Sequence, residues 1–256
     1  RYLVSLQRPS TAEAWSGELV GRPSLFPIAT VNVLTADKTV LVFDKSFHKL
    51  WQATLTYNVS GGYRGSDAEG ALYGLGPCVE RNGTLYVIDA GVLTAFDLAT
   101  GNARWRLPSV GITGLFFDDR GMIYLNTSTA SPETLKYPNQ IDITRKDSSL
   151  VMKIEPASGK VLWTANAGGL VNYVSGKFIY SVYAYHADND DESEQYTADS
   201  IAGRESVLKI KRLNPRNGHV MWTHQEERAP LDLQFDQNTI RLVFRKEVEV
   251  LRFLAL

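Results

Sequence analysis

One decapeptide frame occurs three times in this chain and, in shortened form, once more. FDLATGNARW (Phe96 to Trp105), IEPASGKVLW (Ile154 to Trp163) and LNPRNGHVMW (Leu213 to Trp222) each run as an apolar residue, an Asp, Glu or Asn, three positions, Gly, three positions and Trp. FDKSFHKLW (Phe43 to Trp51) fits the frame with one residue deleted and the glycine lost. The four tryptophans Trp51, Trp105, Trp163 and Trp222 stand 54, 58 and 59 residues apart, and a period of this size points to a repeat architecture.

Each frame follows a β-rich run: TVLVF, VLTAF, LVMKI and VLKIKRL. The glycine falls where a tight antiparallel connection needs positive φ, so each frame predicts the turn between two strands. A second hairpin lies upstream in each unit, around Asn82 and Gly83, Gly121, Gly176 and Asn238. Four short strands in a unit of about 40–50 residues are the signature of a propeller blade. The expectation is an all-β fold, a β-propeller of four-stranded antiparallel blades with about five blades, in one domain over residues 1–256. Helical periodicity is almost absent, and the polar stretch Ser131 to Asp147 has room for no more than a turn. The last unit has no Gly-x-x-x-Trp segment after LVFRKEVEVLRFLAL. A propeller avoids an open edge, so residues 1–20, through Tyr2 to Leu6 or the stretch around Trp15, are expected to supply the missing outer strand. The alternative is an incomplete ring of seven or eight blades.

The stretch LTAFDLATGNARW resembles the repeat of the quinoprotein-dehydrogenase-like propellers, the PQQ-like repeats, whose blades carry Ala-x-Asp-x-x-Thr-Gly-x-x-x-Trp. Ala95, Asp97, Thr100, Gly101 and Trp105 match it. Glu155, Gly159 and Trp163 match in part, as do Asn214, Gly218 and Trp222. The resemblance covers about residues 25 to 256. It implies that Trp105, Trp163 and Trp222 pack between neighbouring blades, that the polar residue ties down the turn, and that the protein works in the periplasm or another exported compartment, with a cytoplasmic location left open. It implies fold far more than function. The quinone-dependent enzymes of that family hold their cofactor with calcium ligands, a catalytic Asp and, in many, an adjacent cysteine pair. This chain has one cysteine, and no position matches the ligands or the catalytic residue, so no cofactor is expected.

Composition narrows the partners. Twenty-seven basic residues against twenty-eight acidic ones give a formal charge of −1, so no global field attracts nucleic acid or an anionic membrane. No apolar run approaches the roughly 20 residues of a spanning helix. The start, RYLVSLQRPS, has neither an initiator Met nor a signal peptide's apolar stretch, which suggests a processing boundary. Cys78 reads as a small buried hydrophobe. The triplets Asn58-Val-Ser60, Asn82-Gly-Thr84 and Asn126-Thr-Ser128 match the glycosylation sequon at a frequency that chance supplies.

Where the repeat breaks down is more informative. With strands A to D antiparallel, A–B and C–D turns share one face of the ring, while B–C turns and the links to the next blade share the other. Every A–B and C–D turn is short. The long departures are Tyr57 to Gly76, Thr127 to Asp147 and Tyr185 to Arg204, and all three fall on the second face. Loops beyond about 12–15 residues in a compact domain are usually functional or disordered. The candidate partner contacts there are Tyr63, Arg64, Tyr137, Tyr185, His186, Asp190, Asp191 and Tyr196, since Tyr and Arg are favoured at interfaces. The acidic run Asp188 to Glu194 reads first as a solvated loop. A patch for a basic partner is the second reading, and calcium held by Asp188, Asp190 and Glu192 is a third, against the missing glycine and spacing of an EF-hand.

Catalytic constellations are not found. His48 and His219 lie in the C–D hairpin region. His219 and His224, five apart on a strand, point to opposite faces and cannot act as adjacent metal ligands. His186 beside Asp188 is the one histidine on the elaborated face. The leading reading is a non-catalytic scaffold that binds a protein partner through the face with the long loops, with oligomeric state open. The second is an enzyme or a binder of a sugar-like or quinone-like ligand in the central funnel.

Overall fold

A computed structural model of the chain describes residues 1–7, 13–59, 65–66, 72–73, 77–89, 91–109, 112–127, 150–167, 169–174, 177–186, 206–228, 230–236 and 238–253. All elements among them are strands. β1 (Tyr2–Gln7) pairs with β2 (Glu13–Leu19). The first four-stranded sheet is β3 (Ser24–Pro27), β4 (Asn32–Ala36), β5 (Thr39–Phe43) and β6 (Lys49–Thr54). A short pair, β7 (Gly65–Ser66) and β8 (Leu72–Tyr73), precedes the second sheet of β9 (Cys78–Arg81), β10 (Thr84–Ile88), β11 (Val92–Asp97) and β12 (Ala103–Pro108). The third is β13 (Ile112–Phe117), β14 (Ile123–Thr127), β15 (Leu150–Ile154) and β16 (Val161–Asn166). The fourth is β17 (Leu170–Val174), β18 (Ile179–His186), β19 (Ser206–Leu213) and β20 (Val220–Glu226), and the fifth is β21 (Asp232–Phe235), β22 (Thr239–Val243) and β23 (Val248–Arg252). Within each sheet, strands adjacent in sequence are antiparallel neighbours. The fold is an all-β propeller built from antiparallel blades, with no helix among the described residues long and apolar enough to cross a membrane.

The repeated frame is the C–D turn. Gly101, Gly159 and Gly218 have φ of 73°, 72° and 74°, and each carries the preceding sheet's tryptophan on its bare α-carbon. A Cβ on Gly101 or Gly159 would come within 2.6 Å of Trp51 or Trp105, and one on Gly218 within 2.8 Å of Trp163. The indole NH then donates to a carbonyl in the same turn: Trp51 to Leu98 at 2.7 Å, Trp105 to Pro156 at 2.8 Å and Trp163 to Pro215 at 3.2 Å. The polar residue of the frame caps the turn, as the resemblance implies. Asp97 Oδ1 accepts from the Ala99 and Thr100 amides, and Asn214 Oδ1 from the Arg216 amide. Glu155 does it indirectly, accepting from Ser158 Oγ, which in turn accepts from the Lys160 amide. In the copy without glycine, Phe47 takes the left-handed conformation at φ 60°.

Sheets pack face to face in series. Val33, Val42 and Trp51 of the first meet Leu85, Val87 and Phe96 of the second. Tyr86, Ala95 and Trp105 meet Leu115, Ile123 and Ile154 of the third, and Tyr124 and Val151 meet Val171, Ile179 and Leu213 of the fourth. Tyr180 and Ile210 then meet Ile240 and Leu242 of the fifth. A sheet sandwiched between two others hides both faces, and β4, β10 and β14 are buried at all five positions. That is why these runs read as continuously apolar and not as alternating.

At the two ends of this series the structure differs from expectation. Among the described residues, neither β1 nor β2 pairs with the fifth sheet. β1 pairs with β2, and among the described residues the fifth sheet has three strands. The hairpin reproduces the C–D geometry of the first sheet: Leu6 opposes Trp15 and the register shifts at the next residue, as Val42 opposes Trp51 with a shift at Phe43. Trp15 is thus a fifth copy of the stamped tryptophan. Its hairpin buries Val4, Leu6, Trp15 and Leu19 against Leu34, Leu41 and Phe43, which gives the first sheet the cover that each later sheet receives from its predecessor. At the other end, Phe253 donates its amide to Asn238 as Leu98 does to Gly83, and its ring meets Trp222 edge-on at 4.7 Å.

Candidate functional site

Strand order fixes which connections share a face. On the face of the A–B and C–D turns no connection exceeds six residues. On the other face lie the strand ends that bound residues 55–77, 128–149 and 187–205, three links that join β6 to β9, β14 to β15 and β18 to β19. Antiparallel pairing puts the strand ends at which each link leaves and returns on the side that the repeat predicts.

The roots of this face are tied by buried polar groups. Asp89, 3% exposed, accepts from the Gly91 and Val92 amides of its own turn at 3.0 and 2.7 Å and from the Tyr57 amide at 3.2 Å. It therefore fixes the start of the first long link to the second sheet. Burial pushes the Asp89 carboxyl up from its ordinary range, against the pull of these amides and of Arg106. Tyr57 lies beside Gly91, where a Cβ would come within 3.1 Å of the ring, and leaves half of its own surface in solvent. At the third sheet Asn126, 1% exposed, donates to the Leu150 carbonyl at 2.9 Å and accepts from the Val171 amide at 3.1 Å, tying both ends of its own link to the fourth sheet. Asn126 is thereby ruled out as an accessible glycosylation acceptor. Ser181 donates to the Ala167 carbonyl at 2.7 Å.

Tyr185 and His186 are the last residues of β18, paired with Val207 and Ser206. The expected loop beginning at Tyr185 therefore starts two residues later. Tyr63, Arg64, Tyr137, Asp188, Asp190, Asp191, Glu192 and Tyr196 lie outside the described residues, and the structure does not bring them together or separate them. His48 sits in the C–D turn with Nδ1 2.9 Å from Asp44 Oδ2. Cys78 is buried, and burial pushes its thiol up to about 12, so it stays a protonated apolar side chain.

A charged cluster that sequence reading did not single out joins the fourth sheet to the fifth. Arg228 donates to Glu226 from Nε at 2.8 Å, to Glu247 from Nη1 at 2.6 Å and to Glu249 from Nη2 at 2.8 Å, and its guanidinium lies 4.2 Å over the Phe244 ring. Glu226 is held below its ordinary value, first by the Arg228 side chain, and Arg228 is raised, first by Glu226. Ligand atoms of His224, Glu226 and Glu249 lie within 4.8 Å of one another, close enough for a metal ion. His219, in the turn before β20, has no part in the group. Nothing in the spacing of 224, 226 and 249 signals it, because the third member comes from another sheet.

Comparison with known proteins adds the lineage. Among solved structures the chain is similar to BamB from Moraxella catarrhalis, at 15% identity and a TM-score of 0.43 over 95% of this chain and 64% of that one. It is also similar to the quinohemoprotein alcohol dehydrogenase ADHIIG from Pseudomonas putida HK5, at 13% identity and a TM-score of 0.44 over 81% of this chain and 34% of that one. The chain thus spans less than two thirds of either protein. No curated protein matches it. A family model matches residues 36–251, from the second strand of the first sheet to the last strand of the fifth, and on that match the chain belongs to the family of PQQ-like propellers described as outer membrane protein assembly factor BamB.

Proposed function

We propose that this propeller is a non-catalytic scaffold that binds a protein partner through the face carrying residues 55–77, 128–149 and 187–205. One observation supports the reading: every connection on one face is held to six residues or fewer, and the strand ends that bound residues 55–77, 128–149 and 187–205 are all on the other. Loops on a rigid scaffold are where binding residues concentrate, and membership of a family described by outer membrane protein assembly supports a scaffold over an enzyme. The same membership supports an exported location. Tyr57 is a described aromatic at this face, held at its amide and half open to solvent. Tyr63, Arg64, Tyr137, Tyr185, His186, Asp190, Asp191 and Tyr196 are the further contacts of the proposal.

The test is capture of partners from envelope extracts, quantified by mass spectrometry, with the intact protein, with residues 187–200 deleted and with Tyr57→Ala. Both variants should keep the unfolding midpoint within a few degrees and lose the captured partner together. Undiminished capture by both would overturn the proposal, and a thermal shift from a small metabolite would turn attention to the funnel.

A further inference from the structure

We draw no further inference here: the strongest candidate, the side-chain cluster of His224, Glu226 and Glu249 between the fourth and fifth sheets, already holds the Arg228 guanidinium as its cation, and nothing in the structure shows a further ligand there.

Discussion

Two glycines with nearly the same backbone separate two physical effects at the residue scale. Gly83 and Gly159 have φ of 70° and 72°, yet a Cβ on Gly83 meets nothing within 4 Å while one on Gly159 meets Trp105 at 2.6 Å. Gly83→Ala should therefore show the left-handed strain alone, about 1 kcal/mol. Gly159→Ala adds displacement of a buried indole and should cost about 2–4 kcal/mol in chemical denaturation. Equal costs would mean that the indole can retreat freely. Two aspartates give opposite pH signatures. The Arg104 side chain and the Thr100 amide hold Asp97 down to about 2, so its contribution is present above pH 3.8 and is lost as pH falls toward 2. Burial raises Asp89, so its contribution is present below pH 3.8 and is lost as pH rises through its folded-state value. Unfolding followed against pH should lose the acid-side slope in Asp97→Asn and the slope of opposite sign just above pH 3.8 in Asp89→Asn. The frame itself was fully legible: Asp97, Gly101 and Trp105 announce a capped turn and a packed indole by residue type and spacing. Trp15 was not, because the sequence between β1 and β2 contains Pro9 and no glycine, and only the pairing of Leu6 with Trp15 shows the kinship.

Among the elements, the junction of the fourth and fifth sheets is built differently from the others. At the three preceding sheet junctions the tryptophan meets a glycine turn; here Trp222 meets the Phe253 ring and stacks on His224 at 5.6 Å, while Arg228 ties β20 to β23 and the turn before it through three carboxylates. Arg228→Ala should leave Glu226, with its side chain 9% exposed, facing Glu249 without a guanidinium between them. Hydrogen exchange should then show β22 and β23 losing protection while β4 and β10 keep theirs. Uniform loss across all sheets would contradict a local clamp. No sequence rule finds such a cluster, since its members lie 19 and 21 positions apart and charged residues on strand ends are ordinary. The elaborated face, by contrast, could be read in advance from strand parity alone. Apart from Tyr185 and His186 at the end of β18, the contact residues proposed for it could not be placed, because they belong to stretches where the repeat supplies no register.

Over the whole molecule, stability is distributed as a series of neighbour contacts. The four clusters between consecutive sheets share no buried member, so damage at one junction should stay with the two sheets that form it, as in other repeat proteins. Trp105→Ala should cost about 3–5 kcal/mol, with exchange protection falling in the second and third sheets before the fifth. The tryptophan contacts also have a direction, always from one sheet to the next, and this sets a timetable for biosynthesis. Trp51, Trp105 and Trp163 find their acceptor carbonyls 47, 51 and 52 positions further along the chain. At translation rates of about 5–20 residues per second, each indole waits roughly 2–10 s for its shelter to be made. A chain leaving the ribosome therefore always presents one freshly made aromatic at its growing end, and a chaperone that follows it meets the same sticky surface once per blade.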